Sequence, residues 1–409
     1  MKLKVKQTEA GEGNLADAWI VPWIAVGLLL AARLWTVMAL PLDGLRGYGD
    51  FIHFFRMADL PGWPYLQSWS EFPPMFPFLA EILYRLAHGQ EHVFVYLLFL
   101  TLMAADAGSL YLFTRLAMSM ENRRDQLIAT AAFTVVLSSL PYQWWYFDSL
   151  AVFFMLFSLY WWQQNKAIPA GLALAAGILT KYFPVLLLAA MYRQGRGKRF
   201  LLTACTGLGL TLLVNGILWI SAPEMTAASL ASQSQKGSWE TVWALADGNL
   251  STGNFGPEIE RLDPAKAYIP RGKPAAFSPL ASLALFGSVG LGALLSVKVK
   301  NFQEMTWMTG LAFCLLFLWS PGWSPQWVFY LIPLLLLGSR PREGILMAFV
   351  LIFLNLLEWP VLLSRGLFWG LWLTIPLRTL LILVLGLSWY QKLRGALQHK
   401  EALGPAVQP

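Results

Sequence analysis

The chain has 409 residues, of which 57% are hydrophobic and only 13% charged. Soluble globular domains carry about a quarter charged residues, so this balance excludes an ordinary soluble enzyme and points to an integral membrane protein. The two cysteines, Cys205 and Cys314, lie in apolar runs and give no disulfide framework, and the net charge of +7 is scattered over short connections, so no nucleic-acid partner is expected.

The first residues, MKLKVKQTEAGEGNLADAW, are basic and then polar. No small-residue cleavage site follows the first apolar run, which therefore reads as a retained helix over 19–40. A bilayer span needs about 20 apolar residues. Further spans are predicted at 92–118, 126–141, 148–164, 200–220, 277–297, 302–320, 327–337, 345–360 and 367–390. The run 169–192 divides at Lys181 into two short helices, which brings the total to about twelve, some of them short or broken.

The division can be checked by charge, because Lys and Arg concentrate in cytoplasmic connections. With the N-terminus inside, those connections hold Lys2, Lys4 and Lys6, then Arg123 and Arg124, Lys166, and Arg193, Arg196, Lys198 and Arg199. They continue with Lys298 and Lys300, Arg340 and Arg342, and Lys392, Arg394 and Lys400. A single crossing at 169–192 would invert every later connection and break the rule. The expected fold is therefore an all-α polytopic membrane bundle in the cell membrane, with both termini cytoplasmic. Two long segments, 41–91 and 222–274, fall on the outer face, and both read as amphipathic helices and loops lying on the membrane.

Ionisable residues at membrane depth cost about 2.5–3.5 kcal/mol each and are functional candidates by default. Asp50, in GYGDFIHFF, follows the first helix and suits a general base, a metal ligand or a simple turn cap. His53 and Glu71 stand nearby in sequence as possible substrate contacts, His53 otherwise an interface anchor. Lys181, in AGILTKYFPVLLL, sits at a broken helix, where a lysine suits a phosphate as a point charge or snorkels to the interface. Arg378 lies in another apolar run and is a second candidate for a donor phosphate. Arg33 and Asp106 fall at similar depth and read as a structural ion pair. Asp148 opens a helix, either capping it or meeting substrate. Gln326 and Trp323, in WSPGWSPQWVFYLIP, suit a sugar hydroxyl and a sugar face. No zinc spacing, phosphate-binding glycine loop or Ser-His-Asp set is present.

An Asp after the first helix followed by a Pro-rich turn, EFPPMFPFL, resembles the integral membrane glycosyltransferases of the C-type superfamily. So do MAADAGSLYLF, YFDSLAVFF, AGLALAAGILTKYFPVLLL and SPQWVFYLIPLLL. The set is most similar to mannosyltransferases that use polyprenol-phosphate mannose. Many of those relatives carry two nearby acids in the first outer loop, whereas here the next acid after Asp50 is Asp59. The resemblance implies a catalytic module over 1–340, with residues 341–409 forming C-terminal helices and a cytoplasmic tail. It also implies transfer of mannose or a similar sugar from a polyprenyl-phosphate donor, with inversion, to a hydroxyl of a glycolipid, glycan or protein. Asp50 would be the base and Lys181 the phosphate ligand. No cofactor is certain, and a divalent metal stays open. A transporter, a lipid-linked-sugar flippase and a non-catalytic subunit are the competing classes.

Overall fold

A computed structural model describes residues 10–402 apart from 121 and 254, and side chains within 20–396. Lys2, Lys4, Lys6 and the side chain of Lys400 lie outside the described residues. Among those described, the chain is helical with three isolated β-bridges and no strand. In order the helices are α1 (Ala10–Ala39), α2 (Leu42–Arg46), α3 (Phe51–Ala58), α4 (Met75–Leu86), α5 (Glu91–Ala117), α6 (Arg123–Ser139), α7 (Tyr142–Trp145), α8 (Asp148–Gln163) and α9 (Ala167–Thr180). Then come α10 (Leu187–Gln194), α11 (Lys198–Ser221), α12 (Pro223–Ser232), α13 (Val242–Asp247), α14 (Pro279–Ser296), α15 (Phe302–Trp319), α16 (Val328–Gly338), α17 (Pro341–Leu356) and α18 (Phe368–Ala402).

Six helical stretches are long and apolar enough to cross a membrane: Ile20–Ala39, Glu91–Ala117, Lys198–Ser221, Pro279–Ser296, Pro341–Arg365 and Phe368–Ala396. They make this an α-helical membrane protein. The other expected spans coincide with shorter helices. Helix α9 has 14 residues and rises about 21 Å, short of the ~30 Å of bilayer hydrocarbon. It stops where Lys181 turns extended (φ −153°, ψ 137°), and a 3-10 turn carrying Pro184 leads into α10. Proline has no N–H to continue the ladder, so the break is written into KYFP.

One apolar core runs through the bundle, from Leu29 and Phe113 to Trp389 and Leu393. Trp389 of α18 packs closely against Gly310 of α15. The two long connections pack against each other, with Ala228 and Ala267 on Trp69. The Trp69 indole N–H lies 3.2 Å from the Glu260 carbonyl and 3.1 Å from that of Asp263, and the Ser70 amide donates to the Ser229 hydroxyl at 2.9 Å.

Arg33 on α1 meets Asp106 on α5, both buried, at 3.0 Å, with the guanidinium 4.3 Å from the centre of the Trp144 ring. Breaking a buried pair on one side strands a charge, which costs about 3–5 kcal/mol. Arg33→Met should therefore lower the thermal stability of the purified protein sharply. Adding Asp106→Leu should restore most of the loss, and a double variant as unstable as the single one would contradict this account.

Candidate functional site

A cavity of about 1340 Å³ opens between the helix ends and the two folded-together connections. Asp50, His53, Glu71, Lys181 and Gln326 reach its wall, far apart in sequence but brought together by the fold.

Asp50 is placed by its glycine neighbours. The chain at Gly49 runs so close to Trp145 that a Cβ there would stand 2.3 Å from the tryptophan Cβ, and the Asp50 amide donates to the Trp145 carbonyl at 3.2 Å. Asp50 occupies the N-cap position of α3, yet its carboxylate makes no capping hydrogen bond. Burial raises its pKa above the usual aspartate value, against the lowering influence of His53, Lys236 and Lys181.

The neighbouring groups are committed. Arg261 grips Glu71 with two bonds, Nε to Oε2 at 3.0 Å and Nη2 to Oε1 at 2.6 Å. The His53 ring lies between two carboxylates, Nε2 3.0 Å from Glu71 and Nδ1 2.9 Å from Glu258. Burial disfavours charge on His53, but the hydrogen bond and charge of Glu71 outweigh it and hold its pKa above the ordinary value. Burial likewise disfavours the Glu71 anion, and Arg261 with His53 more than reverses this, leaving its pKa well below the carboxylate range. Carboxylates at both ring nitrogens favour the doubly protonated ring, which has no nitrogen left to accept a proton. Of the three sequence candidates Asp50, His53 and Glu71, only Asp50 keeps a carboxylate with no protein hydrogen bond among the described residues.

Lys181 faces the same cavity. Its ammonium lies 3.3 Å from Asp148 Oδ1, which also accepts from the Tyr330 hydroxyl at 3.0 Å. Asp148 thus sits behind the wall and fixes the lysine. Phe147 at 4.9 Å from the ammonium, with Phe183 and Trp327 at 5.8 Å, completes an aromatic collar. With 14% of its side chain exposed, Lys181 is largely enclosed by protein. Two expected residues lie elsewhere. Trp323 is buried away from the cavity and donates to Asn355 Oδ1 at 2.9 Å. Arg378 is buried against Glu358, bonds the Glu240 carbonyl and stacks on Trp323 at 4.5 Å, so it is not free to meet a donor phosphate.

Sequence reasoning missed Lys236, in QSQKGSW, which lines the cavity with its ammonium 3.5 Å from the centre of the Trp239 ring. Burial pulls its pKa down to about 7. Its only signal was a lone cation beside an aromatic in a polar loop. Comparison with protein-family models, with curated proteins and with solved structures finds no match. The site therefore stands on its own geometry. That geometry suits an anion more than a divalent metal: His53, Lys236 and Lys181 outweigh Asp148 around Asp50, and no three His, Cys, Asp or Glu side chains among the described residues gather as metal ligands. The residues present do not fit a metal.

Glu71 ties the two connections together, so Glu71→Gln should destabilise the cavity roof by about 3–5 kcal/mol by stranding Arg261. Because its folded pKa is depressed, its contribution is complete above the unfolded value of about 4.3 and fades as pH falls below it. Unfolding midpoints of wild type and variant should therefore converge in acid. A constant gap down to strongly acidic pH would refute the assignment.

Proposed function

We propose that this protein transfers a sugar, mannose or a similar hexose or pentose, from a polyprenyl-phosphate donor to an acceptor hydroxyl in the cavity, with inversion. The observation that carries the reading is the pairing of an uncommitted carboxylate, Asp50, with the fixed cation Lys181 on one cavity wall. The acceptor oxygen gives its proton to Asp50 and attacks the anomeric carbon. The new C–O bond forms as the bond to phosphate oxygen breaks, and that oxygen leaves with the bonding electrons as a lipid phosphate. Such a leaving group is already a stable anion and needs no acid. Lys181 and Lys236 steady its charge, the electrostatic role that contributes most when water is excluded. The raised pKa of Asp50 makes its carboxylate a stronger base than an exposed aspartate.

In this reading the chain crosses the bilayer about twelve times and the cavity opens on the outer face. The basic connections support it, since they meet one another away from the cavity. Arg199 Nη1 reaches Asn165 at 2.6 Å, Arg193 Nε the Val297 carbonyl at 2.7 Å, and Lys300 the Ala396 carbonyl at 3.4 Å.

The direct test is transfer of labelled sugar from polyprenyl-phosphate mannose by the purified protein. Asp50→Asn keeps the shape and removes the base, so turnover should fall about 10²–10⁴-fold while donor binding holds. Lys181→Ala should weaken donor binding about 10–100-fold, as expected for a lost charge-assisted bond. Near-full activity in Asp50→Asn would place the base elsewhere, and transport of the lipid without transfer would favour a flippase.

A pH profile gives a second test. Lys236 loses its proton as pH rises through about 7, and with it goes one of the two cations facing the donor phosphate. Donor affinity should decline on the alkaline side. Lys236→Arg, which stays charged, should carry the affinity to higher pH. An unchanged alkaline limb in that variant would clear Lys236 of this role.

A further inference from the structure

Glu240 stands on the cavity wall in a backbone conformation that disfavours its side chain. Its φ is +52°, a left-handed value costly for any residue with a branched or long side chain. Neighbouring bonds hold it there. The Trp239 amide donates to the Pro321 carbonyl at 3.2 Å, the Trp323 amide to the Trp239 carbonyl at 3.0 Å, and the Thr241 hydroxyl to the Pro321 carbonyl at 2.8 Å. The turn can approach this closely because residue 322 is glycine, where a Cβ would stand 2.1 Å from the Trp239 ring.

The strained position delivers a carboxyl to the cavity. Glu240 is 5% exposed and lines the cavity, and its Oε2 has no hydrogen-bond partner among the described residues. Arg378 does not account for it: that guanidinium pairs with Glu358 and touches Glu240 only at the backbone carbonyl. Two more polar atoms share the condition. Gln326 Oε1 and the Trp327 indole N–H are buried, unpartnered and on the same cavity's wall. The rings of Trp239 and Trp327 meet at 6.1 Å and 77°. Glu240 and Gln326 each adjoin one of these rings in sequence, and all three unsatisfied groups line the one cavity.

A buried group left unbonded costs about 1–3 kcal/mol, so three together on a cavity wall point to a ligand that completes them. Two acceptors and a donor on an otherwise aromatic wall match a ring hydroxylated at its edge. We propose that Glu240, Gln326 and Trp327 form a subsite for the hydroxyls of a sugar ring. The inference deepens the transferase reading and rests on it only for the lipid phosphate that carries the sugar. Burial, working against the charge of Arg378, raises the Glu240 pKa to about 8, so near neutrality the carboxyl can donate as well as accept.

The test uses the full-length protein in lipid nanodiscs and three probes: bare polyprenyl phosphate, polyprenyl-phosphate mannose, and methyl α-mannoside followed by tryptophan fluorescence. Wild type should bind the mannose-bearing lipid more tightly than the bare one. Glu240→Gly deletes the carboxyl and relieves the left-handed strain, so the melting temperature should hold or rise while the sugar-dependent gain falls about tenfold. Gln326→Leu should reduce the gain as well. Binding of bare polyprenyl phosphate should be unchanged in both variants. A Glu240→Gly protein that melts earlier and keeps the wild-type preference for the mannose-bearing lipid would make Glu240 a structural residue and overturn the proposal. If wild type binds neither lipid, the transferase reading fails. A fluorescence response to methyl α-mannoside that Glu240→Gly abolishes would then still sustain the subsite, and no response in wild type would end it.

Discussion

The site depends on the two hydrogen bonds by which Arg261 holds Glu71. Both side chains are almost fully buried, and they belong to connections 190 positions apart in the chain. A guanidinium and a carboxylate brought out of water gain only when their geometry is good and their remaining bonds are met. Here Glu71 also receives His53, which in turn reaches Glu258. One tie therefore closes the roof, fixes α3 and holds the histidine as a cation. The carboxylate one turn earlier, Asp50, is left as the group able to take a proton.

A second principle orders the rest of the charge. Three deeply buried pairs are matched within the bundle: Arg33 with Asp106, Arg378 with Glu358, and Lys181 with Asp148. The cavity departs from this pattern at Asp50, Lys236 and Glu240, where no such bond is made. Structural charges are matched within the protein, and the unmatched ones face the space a ligand would fill.

The helical class and the break at Lys181 were legible in the sequence, because apolar length and the KYFP punctuation act locally. Asp50 was legible too, as the first acid beyond a long apolar helix. The roles of Arg378 and Trp323 were not, since a buried arginine looks the same in sequence whether it meets a ligand or a carboxylate twenty residues away. Lys236, Glu240 and Arg261 escaped for a related reason. Their segment has weak periodicity, and its place over the cavity is set by long-range contacts with Trp69 and the Pro321–Gly322 turn. Such contacts leave no period to read.

Helix α16 has 11 residues, all buried, with Pro333 in its interior. At 1.5 Å per residue it is about 16 Å long, roughly half the thickness of bilayer hydrocarbon. So short a helix is tolerated because protein, not lipid, surrounds its ends and the carbonyl that the proline leaves free. Its first turn begins beside Gln326 and Trp327, on the cavity wall. If its far end lies at one membrane surface, the floor of the cavity lies near the bilayer midplane. A lipid-borne headgroup would then reach that floor by moving sideways from its own leaflet, without first being lifted into water.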